Sequence, residues 1–146
     1  MPDIPVSSYV IAPVLGWVVA QILKHLFNAR LRKDKKAYYS PLIISGGMPS
    51  AHSAAVVALL VVVGTKDGIE SAVFGIALLF AAIVMYDAMM VRRSSGDQGV
   101  ILAALIKEQK SSVRLPRIAK GHTPLEVIVG AVIGLGVGFA ALFITI

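Results

Sequence analysis

The sequence predicts an all-α, polytopic membrane bundle: four transmembrane helices and a short amphipathic helix at the interface. Three observations carry this. First, 57% of the 146 residues are hydrophobic, with mean hydropathy +0.81, above the usual apolar share of a soluble domain. Second, the apolar residues gather in uncharged runs close to the roughly 20 residues a membrane helix needs. Third, the basic residues sort to one side of those runs. The length fits a single domain, 1–146.

Between Asp3 and Lys24 no charge occurs, and Tyr9 and Trp17 offer interfacial anchors. This is the first span, about 7–26, with Pro13 expected to kink it. The opening Met1-Pro2-Asp3 has no basic residue and no cleavage-like site, so this run is expected to stay as an anchor. The second span, 50–65, is short, and topology argues for it. The third, 69–91, is built on Ser71 to Tyr86. The fourth, 124–145, carries Gly130, Gly134 and Gly138 every four residues, a smooth face for close helix packing. Between the last two, Ile101, Leu102, Leu105 and Ile106 fall on one side of an expected interfacial helix at 97–110. Asp97 would cap its start, and Lys107 and Lys110 suit its end.

With four crossings, all of the 14 Lys and Arg residues except Lys66 lie on one face. They include Lys24, the run Arg30, Arg32, Lys33, Lys35 and Lys36, then Arg92, Arg93, Lys107, Lys110, Arg114, Arg117 and Lys120. A three-crossing arrangement would lose this bias. The positive-inside rule then makes the basic face cytoplasmic. The net charge of +6 points to membrane lipids as partners, anionic ones above all. It does not point to nucleic acid, because the basic residues lack interleaved aromatics. Without cysteine, disulfides and thiolate metal sites are excluded.

The same face gathers polar residues from distant parts of the chain. Gly46, Gly47, Pro49, Ser50 and His52 stand at the start of the second span, a pattern that suits an anion at a helix N-terminus and also reads as a plain loop and cap. His122 and Glu126, four apart, share a helix face. The carboxylate can orient the imidazole for nucleophilic attack, or the two can be an ordinary helix-start pair. His52, His122, Glu126 and Asp87 also permit a metal site, although no ligand-spacing motif demands one. Arg92 and Arg93 can grip phosphate or flank the span with Asp87 as ion-pair partner. Lys24 is a phosphate-binding candidate or a snorkelling anchor, and His25 reads as interfacial.

These residues also carry a resemblance. Gly46 to Ala54, Gly-Gly-Met-Pro-Ser-Ala-His-Ser-Ala, resembles the Pro-Ser-Gly-His motif of type 2 phosphatidic acid phosphatases, in particular their small divergent branch, related to acid phosphatases and vanadium haloperoxidases. Tyr86-Asp87-Ala88, with Val91-Arg92-Arg93, Gly96 and Gln98, is similar to that branch's own signature. Gly121-His122-Thr123-Pro124-Leu125-Glu126 is similar to its last motif. The resemblance covers roughly residues 10 to 140, and the three motifs in order are what make it specific.

The resemblance implies a cofactor-free, metal-independent phosphatase acting on a lipid phosphate through a phosphohistidine. It casts His122 as nucleophile, Glu126 as its orienting acid and His52 as the acid for the leaving oxygen. Gly47, Ser50, Lys24 and Arg92 or Arg93 would hold the phosphate; Asp87 and Gln98 have no assigned role. Ala51 stands where the wider superfamily has glycine, Glu126 where it has aspartate, and its Lys-x6-Arg-Pro motif is absent. A non-catalytic binder of anionic lipid that keeps the motifs is the alternative. The chain is shorter than the usual six-helix enzymes; a homo-oligomer could complete the site or bury exposed faces, with the Gly130/Gly134/Gly138 stripe as a candidate contact.

Overall fold

The computed structural model describes residues 7–31, 47–115 and 121–144. The basic residues at 32–36, with Gly46, Arg117 and Lys120, lie outside the described residues. Among those described, the chain forms α1 (Ser8–Leu31), α2 (Ala51–Lys66), α3 (Ala72–Tyr86), a π-helical turn (Asp87–Val91), α4 (Arg92–Glu108) and α5 (Pro124–Ile144). Among the described residues, three stretches are long and apolar enough to cross a membrane: Ser8–Phe27, Ala72–Glu108 and Pro124–Ile144. The shorter apolar α2 has 16 residues, about 24 Å of helix.

α2 is the centre of the bundle and packs against α1, α3 and α5. Its residues are apolar on every side, as a helix enclosed by others requires, and Ala54, Ala58 and Val62 are fully buried. The helices around it approach through small residues. α1 buries Ser8, Ala12, Gly16, Ala20 and Lys24, one residue in four. A Cβ on Gly16 would come within 2.8 Å of the Ala54 carbonyl oxygen.

α5 uses Gly130, Gly134 and Gly138 in the same way. A Cβ on Gly130 would run into the Ser50 carbonyl, one on Gly134 into that of Ala54, and one on Gly138 would lie 2.7 Å from Val61 Cβ. This corrects one expectation. The glycine stripe is buried inside the protomer against α2, so it offers no surface to a second copy. Packing of this kind replaces the hydrophobic drive that lipid cannot supply.

The ends of the helices follow from local chemistry. Ser50 caps α2 and Ser71 caps α3, the latter accepting the Phe74 amide at 3.1 Å. Gly68, at φ +85°, makes the turn between these helices. There Tyr9 Oη donates to Asp67 at 2.8 Å, and Lys66 Nζ lies 5.9 Å from the centre of the Tyr9 ring. The start of α1 is thus tied to the end of α2, which runs antiparallel to it. Pro13 sits within α1 without ending it.

The segment 72–108 is one helical stretch of 37 residues. A separate helix starting at Asp97 was expected. Instead α4 begins at Arg92 and follows directly from the π turn, with Asp97 inside it. The charged cluster at 92–97 marks where the stretch becomes polar and not where the backbone breaks. Ile101, Leu102 and Leu105 are exposed on α4, as Ile76, Leu79 and Ile83 are on α3.

Candidate functional site

α5 starts in a capping box, Thr-x-x-Glu. The Thr123 amide donates to Glu126 Oε2 at 3.1 Å, and the Glu126 amide donates to Thr123 Oγ1 at 3.4 Å. Pro124 takes the first helical position, where a missing N–H costs little. The same Glu126 Oε2 lies 3.0 Å from His122 Nδ1. A carboxylate can only accept, so Nδ1 carries the proton of this bond, and in the neutral ring Nε2 keeps its lone pair. Glu126 thus caps the helix and holds the imidazole with the same oxygen.

His122 is 5% exposed. Its backbone is fixed from the opposite direction, its amide donating to the Ala88 carbonyl at 2.9 Å. Next to it, Gly121 packs so closely on the Arg93 backbone that a Cβ would lie 2.7 Å from Arg93 Cβ. Burial pushes the His122 imidazole below the ordinary histidine value. The hydrogen bond to Glu126 opposes this, and the positive charge of Lys24 reinforces it. The net direction favours the neutral ring, in which Nε2 is the unprotonated nitrogen.

The start of α2 is anchored to the same helix. The Ser50 amide donates to the Glu126 carbonyl at 3.0 Å. Ser50 is fully buried, and its hydroxyl accepts from Ser53 Oγ at 2.9 Å and from the Ser53 amide at 3.4 Å. The structure thus places Ser50 beneath the site as a cap and not on its surface. Gly47 takes φ +89° just before the cis Met48–Pro49 bond. Glycine accepts that φ without strain.

His52, exposed in the first turn of α2, lies within electrostatic range of Arg92, His122, Lys24 and Asp87. Those residues come from α1, the π turn, α4 and the approach to α5, so the structure brings them together. Lys24 is 7% exposed and ends the inward stripe of α1. That position argues against a snorkelling anchor. Arg92 Nε donates to Asp87 Oδ2 at 2.6 Å, the ion pair expected as the alternative to phosphate binding by Arg92. Two candidates stay apart. Arg93 is exposed and meets Gly121 through its backbone. Gln98 is exposed, with Nε2 3.4 Å from Ser94 Oγ. His25 is exposed on α1. Among the described residues no three His, Asp or Glu side chains gather as a metal-ligand set.

Sequence reasoning missed three features. The Ala88 carbonyl and Ser53 both hold site residues, and neither is a residue type that announces chemistry. The inward position of Lys24 was available, because Ser8, Ala12, Gly16 and Ala20 precede it at the same four-residue interval.

A helical membrane protein with a buried, carboxylate-held histidine beside a second histidine and two cations is the class these features define. The chain matches the Divergent PAP2 family over residues 6–137 and belongs to that family. It is also 31% identical over 140 residues, 84% of this chain and 89% of the other, to a Bacillus subtilis (strain 168) protein described as "Uncharacterized membrane protein YuiD". No solved structure matches it.

Proposed function

We propose that the protein is a lipid-phosphate phosphatase. It would hydrolyse a phosphomonoester or diphosphate on an apolar tail, such as phosphatidate, phosphatidylglycerol phosphate or a prenyl diphosphate, at the cytoplasmic membrane interface. The observation that carries this reading is the His122–Glu126 pair, which in the neutral ring leaves Nε2 as the nucleophile, within electrostatic range of Lys24 and Arg92.

In the first step Nε2 of His122 attacks phosphorus, and the bond from phosphorus to the leaving oxygen breaks. His52 supplies the proton that this oxygen needs. In the second step water attacks the phosphohistidine, His52 takes its proton, and inorganic phosphate leaves with His122 restored. Lys24 and Arg92 stabilise the charge on the transferring group. Glu126 stabilises the positive charge that develops on the imidazole. Ser50 acts indirectly, by fixing the first turn of α2 on which His52 stands.

Rapid acid-free quenching with a ³²P-labelled lipid phosphate tests this. The expected result is a protein-bound label that is stable in base, labile in acid and absent from His122→Ala. A label that persists in His122→Ala would exclude His122 as the nucleophile.

A further inference from the structure

Asp87 and Arg92 are five residues apart. An α-helix turns about 100° per residue, so side chains five apart point about 140° away from each other, whereas those three or four apart meet. Asp87 and Arg92 nevertheless meet at 2.6 Å. The reason is the π turn between them. The Arg92 amide donates to the Asp87 carbonyl, five residues back, which widens the coil and brings the two side chains onto one face.

Where such a turn returns to α register, one carbonyl is left out of the helical ladder. The Ala88 carbonyl accepts the His122 amide instead. A single extra residue in the helix therefore does two things: it ties the approach to α5 to the turn that follows α3, and it brings Arg92 onto the face of Asp87, within electrostatic range of both histidines.

The manner of the Arg92 contact matters. A guanidinium has five N–H donors in a fixed fork, and the bond to Asp87 engages Nε. The side chains of Arg92 and Asp87 are 46% and 34% exposed, so the pair is open to an incoming ligand.

We infer that Asp87 is a positioning residue: it grips Arg92 at Nε, across the π turn, so that the terminal amines of the fork face the phosphate of a ligand beside His52 and His122. This rests on the phosphate-binding reading of the site, and it gives Asp87 and the π turn a role of their own.

The test is binding of inorganic phosphate to the full chain in detergent, followed by ³¹P line broadening, for wild type, Asp87→Asn and Arg92→Lys. Loss of one charge-assisted contact predicts about tenfold weaker binding in each variant. The Arg92 Nε–H is expected to exchange slowly in wild type and faster in Asp87→Asn. With phosphatidate as substrate, the same variants should raise KM more than they lower kcat.

If Asp87 only neutralised Arg92, its removal would leave phosphate binding unchanged or tighten it, and either result overturns the inference. Arg92→Lys keeps the charge and loses the fork, so undiminished phosphate binding by it overturns the inference as well, even should Asp87→Asn fail to fold. Wild-type phosphate binding that depends on Asp87, without turnover, would uphold the positioning role and count against the catalytic reading alone.

Discussion

Glu126 accepts from the Thr123 amide and faces His122 Nδ1 with the same oxygen, so a change there separates charge from shape. Glu126→Gln keeps the size of the side chain and removes the charge that stabilises an imidazolium. Hydrolysis is expected to fall about 10²–10⁴-fold, read as phosphate release. The pH dependence has a definite sign. Because burial lowers the His122 value, the neutral nucleophile persists below the ordinary histidine range near 6.5. The acid limb of kcat/KM is therefore expected below that value. Glu126 favours the protonated form, so Glu126→Gln should move the limb to still lower pH. This pair was legible in the sequence, since Thr-x-x-Glu and His-x-x-x-Glu overlap at 122–126. Burial of His122 was not, because its neighbours come from the π turn, α4 and α1, which only the fold brings near.

Among the helices, the four-residue stripes were visible as spacing, but their partner was not. Spacing shows that a face is smooth; it does not say whether the neighbour is another copy or another helix of the same chain. Gly134 meets the Ala54 backbone and Val57, while a Cβ on Gly136 meets nothing within 4 Å. Gly134→Val is expected to destabilise the bundle by about 1–3 kcal/mol. Gly136→Ala should change stability by no more than about 1 kcal/mol. Thermal unfolding in detergent compares the two.

The π turn lay beyond sequence reasoning. Hydrophobic periodicity averages over several turns, so one added residue leaves it almost unaltered. Deleting exposed Met90 should restore α register and turn α4 by about 100° relative to α3. It would withdraw the Ala88 carbonyl from His122. Phosphate release is expected to be lost while helix content by circular dichroism is kept.

Taken whole, the molecule places its candidate site at one end of the bundle and the Tyr9–Asp67 bond at the other. The apolar spans were legible because an uncharged run of helical length has few other uses. The continuity of α3 with α4 was not, because the charged residues at 92–97 look like a loop. Those 37 residues make a rod of about 55 Å, longer than the roughly 30 Å of hydrocarbon, so part of α4 must lie beyond it. Four crossings with the basic face inside predict that a cysteine at position 66 is labelled from outside intact cells and one at position 107 only after permeabilisation. Labelling of both from the same side would exclude that topology.

Phosphate release by the purified protein in detergent bears most directly on the central claim. Phosphatidate, phosphatidylglycerol phosphate and prenyl diphosphates would be supplied with EDTA present, for wild type beside His122→Ala and His52→Ala. Release should persist in EDTA, disappear in His122→Ala and fall steeply in His52→Ala. Release by His122→Ala at the wild-type rate, or none from any substrate by a wild-type protein that still binds the lipid, would contradict it.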